Sequence, residues 1–539
     1  MTAVSSAPKS TSARLRSTGQ LKTRTLATNV RRGAVWNVAS TILLRISSIG
    51  ITALVARILT PHDFGVFAVA TTAFTIVTAF GELGVTSCLA RADLRVSAMA
   101  PTLWTVSLAT SFLMAGVLVL FAQPIATALG SSQGADPIRV MALIMLLWGV
   151  AAVPTAQCVR DFRQDKIFLA NVLSFIPSTV VLIVLAKHGS GAMAFAWSRV
   201  AGQVVSCAVV LLSVPKLHRP GLRRSALSVL YRYGLPLACA NFIGYILQNT
   251  DYALIGRLLG PVLLGTYVLA FNAASWSSAL LVGVLTTVAM PAFSRVKDDA
   301  AQLMAATADG LRAVMLVAAP MCTLVMVLAK PIVLTMYGSR WAAAAPVLSI
   351  LSIYGLISIV GMLFSNMLAA LGRSKSVLVV QLIWLAALVP AMVIGVRRDG
   401  IVGAAIAHIV IIGPLVLPCY LVALMRATGV RLGFLAKAAF PPLVVAALAA
   451  AVAWLVAAQL HRPVLQLIAG MTVGGLLYLL VTAPQLIPLL GGGLAARPPV
   501  RRVLRVYRNV GRAIGIPIGP PPRHVRRHRS RVLRPGHVP

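Results

Sequence analysis

The sequence has few charged residues and very few acidic ones. Asp, Glu, Lys and Arg make up 11% of its 539 residues, whereas 59% are hydrophobic. Globular proteins carry about a quarter charged residues, so this chain cannot cover the surface of a water-soluble fold. It has 11 acidic residues against 48 lysines and arginines, a formal net charge of +37. The composition excludes an ordinary soluble protein and predicts a membrane protein.

The usual patterns of catalysis and metal binding are missing. The six cysteines show no CxxC spacing, so disulfide and metal roles are not expected. No Walker motif is present. The acids of the predicted external segments, Asp63, Asp136 and Asp399, lie far apart in the chain. We therefore expect a protein that is not an enzyme and that has no catalytic site, metal or cofactor.

Long apolar runs, each long enough to cross ~30 Å of hydrocarbon as a helix, alternate with short basic segments. The runs do not alternate apolar and polar residues, which excludes a transmembrane barrel. We predict an all-α polytopic membrane protein with about fourteen transmembrane helices. The predicted spans are 34–57, 64–86, 99–121, 139–157, 168–186, 190–213, 233–257, 263–290, 311–336, 342–370, 376–396, 401–425, 435–458 and 463–488.

The positive charge follows this membrane topology. With the N-terminus inside, 37 of the 48 lysines and arginines fall in cytoplasmic segments and nine in external segments or at helix rims. This bias fixes the orientation by the positive-inside rule. It predicts a multi-pass protein of the inner (plasma) membrane with both termini in the cytoplasm. The charge is a topology signal, and no nucleic-acid partner is expected. Residues 1–32 also lack the apolar core of a cleavable signal.

A short segment recurs at an offset of 200 residues. The sequence VARILTPHDFGVFAVA (55–70) corresponds to IGRLLGPVLLGTYVLA (255–270). Because the offset spans six helices, an even number, it predicts two six-helix lobes related as parallel repeats, followed by two further helices. The coinciding pairs are Arg57/Arg257, Leu59/Leu259, Pro61/Pro261, Gly65/Gly265 and Ala70/Ala270. The predicted divisions are a basic N-terminal segment (1–32), an N-lobe (33–213), a basic linker (214–232), a C-lobe (233–425), the last two helices (426–488) and an arginine-rich tail (489–539).

Helices one and seven each carry a stripe of polar residues on one face, in register at the same offset. Two such stripes in apolar helices favour a shared central cavity, and the alternative is hydrogen bonding between helices. The charges of Arg45 and the neighbouring Asp251 favour the cavity, because a charge at the bilayer centre costs at least ~2.5–3.5 kcal/mol. The first stripe comprises Asn37, Thr41, Arg45, Ser48 and Thr52. The second comprises Asn241, Tyr245, Gln248 and Tyr252.

Four charged residues are candidates for function. Arg45 lies near the middle of helix one, where its planar fork is suited to phosphate oxygens; the alternative is a structural ion pair with Asp251. Arg199 in helix six has Gln203 and Ser206 on its face. Asp251 and Glu82 are the acids within or at the inner end of a span, and either could bind a coupling proton or cation.

The tail at 489–539 contains 12 arginines and no acidic residue. The spacing of Arg501, Arg505, Arg508 and Arg512 predicts a short amphipathic helix on anionic lipid. The alternative is a solvated tail.

Five segments resemble the bacterial oligosaccharide flippases, polysaccharide-export proteins of the multidrug/oligosaccharidyl-lipid/polysaccharide exporter superfamily. The segments are ARILTPHDFGVFAVA, VRDFRQDKIF, GRLLGPVLLGTYVLA, MPAFSRVKDD and MYGSRWAAAAPVLSILSIYG. The resemblance spans roughly residues 30–430 and implies two six-helix lobes around a cavity. It also implies alternating-access transfer of an undecaprenyl- or decaprenyl-pyrophosphate-linked oligosaccharide from the inner to the outer leaflet, for cell-surface polysaccharide export.

In that reading, Arg45, Arg199, Thr41 and Ser48 bind the pyrophosphate region, and Asn241, Tyr245, Gln248 and Tyr252 contact sugar hydroxyls. A polysaccharide polymerase or glycosyltransferases are possible partners. Arg45 matches the placement of an arginine in related peptidoglycan-precursor flippases, but Ile51 stands where those carry a second arginine. The alternatives are a peptidoglycan lipid-precursor flippase, a multidrug exporter of the same superfamily, or a non-transporting scaffold for glycan assembly.

Overall fold

The structure, a computed structural model, describes residues 47–81, 96–161, 163–214, 221–223, 228, 235–284 and 300–489. Every regular element in these ranges is a helix, which confirms the predicted all-α fold. Ten stretches of the described chain are long and apolar enough to cross a membrane. Two of them contain a break between two helices, at Gly260 and at Asp399–Gly400. The number of fourteen spans stays a prediction, as do the domain boundaries.

The described residues form fourteen principal helices, numbered here in chain order. The first six are α1 (Ser47–Ile58), α2 (Pro61–Gly81), α3 (Val96–Leu120), α4 (Ala135–Arg160), α5 (Gln164–Lys187) and α6 (Ala192–Ser213). The segment Leu235–Val284 contains α7 (235–259) and α8 (261–284). The others are α9 (Ala300–Val327), α10 (Ala344–Ala370), α11 (374–398), α12 (401–428, with a π-helical turn at Ile412–Val416), α13 (Leu432–Ala458) and α14 (Pro463–Leu489).

Several helices begin earlier than predicted, and two of them have proline at their first position. Pro61 opens α2 and Pro261 opens α8, where the missing amide hydrogen of proline carries no cost. Thr60 and Asp63 also cap α2: the Thr60 amide and hydroxyl donate to the Asp63 carboxylate at 2.9 and 2.7 Å. The sequence T-P-H-D therefore starts a helix at residue 61, and the predicted start at 64 was late.

The ninth helix also differs from its prediction. It runs from Ala300 to Val327 and is followed by a separate short helix, Ala329–Met336. Pro331 lies in the first turn of that short helix, where it needs no hydrogen-bond donor. The first half has the same arrangement, a short helix Ala122–Ala128 between α3 and α4. Both short helices begin A-x-P-I, a second repeat that the sequence analysis did not detect.

Gly191 and Gly400, at the α5–α6 and α11–α12 turns, have nearly the same backbone conformation, with φ of 53° and 56°. The left-handed φ at both turns favours glycine. Below, "N-half" refers to α1–α6 and "C-half" to α7–α12.

The repeated Pro-x3-Gly segments contact each other where α2 crosses α8. A side chain added at Gly65 would collide with the backbone carbonyl of Pro261, and one added at Gly265 would collide with the carbonyl of Pro61. The contact is therefore reciprocal, and only glycine lets the two backbones approach so closely. We call this end of the protein, defined by residues 56–65 and 256–265, the closed end.

Side chains strengthen the contact between the halves at the closed end. The Arg57 guanidinium donates to the carbonyl oxygens of Thr335 and Met336, at the end of the short helix Ala329–Met336. In the other direction, the Trp341 Nε1 hydrogen bonds to the Ala56 carbonyl at 2.8 Å. Trp341 is fully buried and belongs to an apolar core that contains residues of both halves.

The last two helices pack beside the C-half. The Tyr478 hydroxyl of α14 donates to the Leu316 carbonyl of α9 at 2.9 Å, and the Thr323 hydroxyl of α9 donates to the Ala446 carbonyl of α13 at 3.3 Å. They lie outside the contact at the closed end.

The close packing at the closed end predicts that a single added methyl group lowers the stability of the protein. Gly65→Ala should lower the melting temperature of the purified protein, since the added methyl group overpacks the contact with Pro261 at a cost of about 1–3 kcal/mol. The matched control is Gly116→Ala in α3, which has nothing within 4 Å of the new methyl group. The control should be neutral or slightly stabilising, because alanine is the better helix former. Equal melting temperatures for both variants would contradict the proposed packing.

Candidate functional site

A polar pocket of about 670 Å³ lies within the N-half. It is walled by α1, α2, α4, α5 and α6, and its volume lies in the range of ligand-binding pockets, about 300–1,000 Å³. Its polar lining residues are Ser48, Thr75, Asn171, Ser174, Ser178, Arg199, Gln203 and Ser206. Its aromatic lining residues are Phe74, Trp148 and Phe175.

Helical spacing brings these polar groups together. Asn171, Ser174 and Ser178 are separated by three and four residues and share one face of α5. Arg199, Gln203 and Ser206, separated by four and three, share one face of α6 in the same way. The two helices pack against each other, so their polar faces line the same space. The α5 stripe was visible in the sequence but was not predicted to line the site.

Arg199 supplies the positive charge of the pocket. Its Cζ atom lies 5.1 Å from the centre of the Phe67 ring, a cation–π contact that holds the guanidinium in place. No described carboxylate forms an ion pair with Arg199. Arg199 is seven residues into α6, about 10 Å along the helix from the closed end. A cation at this depth needs an anion or water as partner, so the pocket is suited to an anionic ligand.

The structure brings two of the predicted site residues together and leaves others apart. Ser48 and Arg199 line the same pocket. The described side chains of the helix-seven stripe do not line this pocket. Gln248 is exposed, and the Tyr245 carbonyl accepts a hydrogen bond from Asn249. Outside the described residues lie Thr41, Arg45, Glu82 and the side chain of Asn241.

A second charged site lies in the C-half, around Asp251. Its carboxylate is 2% exposed and accepts hydrogen bonds from the Tyr252 amide at 2.9 Å and the Tyr267 hydroxyl at 3.2 Å. The His408 Nε2 atom lies 3.7 Å from the same carboxylate, and His408 is 3% exposed. Tyr354 packs on the imidazole with ring centres 4.6 Å apart. Tyr252 therefore belongs to this cluster and not to the N-half pocket.

His408 was missed in the sequence, although the repeat contains a signal for it. Arg199 is the eighth residue after Gly191, and His408 is the eighth residue after Gly400. The two side chains therefore occupy equivalent positions in α6 and α12. Asp251 has Ile51 as its counterpart at the offset of 200. The N-half therefore has the cation Arg199 at this position, and Ile51 stands where a carboxylate would be. The C-half has His408 at this position, beside the Asp251 carboxylate.

The helices, the repeat and the two polar sites define a polytopic membrane protein with a transporter fold. Residues 54–346 match the family described as "Polysaccharide biosynthesis protein", and the chain belongs to this family. It is similar to the succinoglycan biosynthesis transport protein ExoT of Rhizobium meliloti (strain 1021), at 28% identity over 88% of this chain and 97% of the relative. It is also similar to the lipopolysaccharide biosynthesis protein WzxC of Escherichia coli (strain K12), at 25% identity over 70% of this chain and 77% of the relative.

Two groups of solved structures share the fold. The lipid II flippase MurJ in an inward closed conformation matches with a TM-score of 0.66 at 13% identity, over 84% of this chain and 99% of that one. An inward-facing multidrug resistance MATE family transporter of the MOP superfamily matches with a TM-score of 0.53 at 16% identity, over 74% and 95%. At these identities the likeness concerns the fold alone.

Substitutions of Arg199 and Arg57 should have opposite effects on stability. Arg199→Met should leave the melting temperature unchanged or raise it, because it removes a charge that the fold does not neutralise and methionine still packs on Phe67. Arg57→Met should lower the melting temperature, because it removes the hydrogen bonds that join the halves. Thermal unfolding of both purified variants measures this. Equal destabilisation by both substitutions would mean that Arg199 has a structural role.

Proposed function

We propose that the protein is a flippase that moves a polyprenyl-pyrophosphate-linked oligosaccharide from the inner to the outer leaflet for cell-surface polysaccharide export. The N-half pocket carries the proposal, since it places an arginine without a described counter-ion among hydroxyl and amide groups. Membership of the polysaccharide biosynthesis family and the printed names of the relatives support the same cargo class.

The chemistry of the pocket matches a phosphorylated sugar. A guanidinium binds phosphate oxygens through charge-assisted, bidentate hydrogen bonds. The serine, asparagine and glutamine side chains donate to and accept from sugar hydroxyls, and Trp148 offers an apolar ring face. In this proposal Arg199 and Arg45 attract the pyrophosphate, with Thr41 and Ser48 beside it. The polyprenyl chain stays in the bilayer.

The helix-seven stripe is proposed to contact the glycan beyond the pyrophosphate. Gln248 is exposed and is free to reach a saccharide between the halves, and we assign Asn241 and Tyr245 to the same surface. Tyr252 packs in the Asp251 cluster and is not proposed to contact the glycan.

Alternating access follows from the reciprocal contact at the closed end. The predicted orientation places this end toward the cell exterior, so the state described here is closed to the outside. Release of the cargo outward then requires Gly65 and Gly265 to separate from the opposing prolines. We assign the coupling ion to Asp251, with Glu82 as a further candidate.

The protein is a multi-pass membrane protein, and we place it in the inner (plasma) membrane with both termini in the cytoplasm. The arginine-rich tail at 489–539 is proposed to bind anionic lipids. A polysaccharide polymerase or glycosyltransferases are the proposed protein partners, and no nucleic-acid partner is proposed.

The proposal predicts a specific defect in cells. Arg199→Ala and Arg45→Ala should each lower export of the glycan at least about tenfold, since each removes a phosphate contact worth roughly 1.5–3 kcal/mol. One lipid-linked oligosaccharide should accumulate in the cytoplasmic leaflet, measured by extracting and quantifying lipid-linked glycans. Arg45→Lys keeps the charge but loses the planar fork, so it should restore export only in part. The matched control is Arg139→Ala, which removes an exposed arginine paired with Asp136.

Other outcomes would favour other functions. Accumulation of the peptidoglycan lipid precursor would favour that flippase, and loss of drug resistance would favour a multidrug exporter, whose fold the chain shares. Normal levels of every lipid-linked glycan, together with a defect on deleting residues 489–539, would favour a scaffold for glycan assembly.

A further inference from the structure

We propose that Asp251 and His408 together bind one proton in the closed state, and that this proton is the coupling ion of the transporter. The inference rests on the proposed transport function and identifies the ion that couples to it. It starts from the position of the pair. Asp251 lies nine residues before Gly260 and His408 eight residues after Gly400. Both therefore lie about 12–14 Å along their helices from the closed end, near the middle of a ~30 Å hydrocarbon layer.

The surroundings of the pair restrict its charge. Among the residues that the structure describes, the titratable groups that face it come from α7, α8 and α10 and are Tyr252, Tyr267 and Tyr354. Phe271 completes the enclosure, with its ring centre 6.3 Å from that of His408. Tyrosine is neutral at physiological pH, so these neighbours contribute no net charge.

One bound proton gives the pair its lowest energy in this enclosure. Without a proton, a carboxylate faces a neutral imidazole and the pair carries −1. With two protons, a neutral carboxylic acid faces an imidazolium and the pair carries +1. With one proton the pair is neutral overall, whichever residue holds it. A buried net charge is costly without a partner, so the closed state favours a single shared proton. The proton enters from water and returns to water when the pair becomes hydrated.

A sodium ion fits the same enclosure poorly. Hard cations prefer a shell of several oxygen ligands. One oxygen of Asp251 accepts a hydrogen bond from the Tyr252 amide and the other from the Tyr267 hydroxyl, and the His408 Nε2 atom lies 3.7 Å from the carboxylate. Among the described residues, no group of three or more His, Cys, Asp or Glu side chains could hold a metal ion. The chemistry of the pair therefore favours a proton.

The pair is also positioned to respond when the closed end opens. Asp251 lies on α7, five residues before Gly256, which packs against the Leu129 carbonyl of the N-half. His408 lies on α12, four residues before the start of the π-helical turn Ile412–Val416, which contains Pro414. Such turns interrupt regular helical bonding and often mark functional sites. A movement of α7 away from the N-half would change the distance between Asp251 and His408, and would let water reach the proton.

The first test measures proton binding without any substrate. Unfolding of the purified full-length protein is followed against pH for the wild type and for the double variant Asp251→Asn/His408→Gln. In the unfolded chain, Asp titrates near about pH 3.9 and His near about pH 6.5. Between these values both states hold one proton. Above about pH 6.5 only the folded pair holds it, so stability falls as pH rises, and the unfolding constant increases about tenfold per pH unit relative to the double variant.

The matched control for this test is Asp399→Asn/His461→Gln, which makes the same chemical changes at exposed positions. It should keep the pH slope of the wild type. Identical slopes for the wild type and Asp251→Asn/His408→Gln would overturn the proposal. So would a sodium-dependent rise in stability that only the wild type shows.

The second test separates this inference from the proposed function. In vesicles containing the full-length protein and lipid-linked oligosaccharide, a pH gradient should accelerate translocation several-fold and a sodium gradient should not. The double variant should lose that response. If no lipid-linked glycan moves in any vesicle, the proposed function fails, while the unfolding measurement still decides whether the pair binds a proton. Normal transport that ignores the pH gradient overturns the coupling role alone.

Discussion

The reciprocal contact between Gly65 and Pro261 and between Gly265 and Pro61 is the constraint on which the arrangement of the two halves depends. Lipid chains are as apolar as leucine, so helices in a bilayer associate through close packing and polar contacts more than through the hydrophobic effect. At this contact the packing is backbone against backbone. Arg57 and Trp341 then add hydrogen bonds from each half to the backbone of the other. Close-packed contacts tend to be either joined or separated, which the proposed alternating access requires.

The two halves have equivalent helices, but the charged residues at equivalent positions differ. Phe67 and Tyr267 are equivalent through the offset of 200, and each contacts a charged group: Phe67 lies under Arg199, and Tyr267 donates to Asp251. Arg199 remains charged at all physiological pH values, and the position equivalent to Asp251 is Ile51. In the proposed mechanism the N-half offers its charge to an external anion, whereas the C-half neutralises the charge of Asp251 internally with a proton.

Much of this fold was predictable because membrane insertion imposes strong rules on a sequence. Apolar length predicted the helices, and the pairs Pro61/Pro261 and Gly65/Gly265 marked the two segments that contact each other. The orientation deduced from the distribution of Arg and Lys stays a prediction. Helix ends were less predictable: the early start of α2 depends on the Thr60–Asp63 cap, which is a local interaction.

The site was predictable only in part, since its geometry depends on contacts between distant helices. Ser48 and Arg199 were expected to lie near each other, and they line one pocket. His408 was overlooked because a single histidine in an apolar helix forms no motif with other polar residues nearby in the sequence. Its importance becomes visible when α12 is placed beside α7 and Asp251. The position of Tyr252 in the Asp251 cluster, away from the N-half pocket, was not predicted for the same reason.

A continuous row of aromatic rings connects the closed end to the N-half pocket. Trp341 packs on Phe64 with ring centres 5.0 Å apart, Phe64 on Phe195 at 4.9 Å, and Phe195 on Phe67 at 4.7 Å. Phe67 in turn holds the guanidinium of Arg199. Trp341 belongs to the C-half and the other four residues to the N-half. Separation of the halves therefore removes the first ring of the row, and an anion that draws Arg199 away removes the contact at its other end. Because close-packed rings have few alternative positions, the packing of the closed end and the position of the arginine are physically linked.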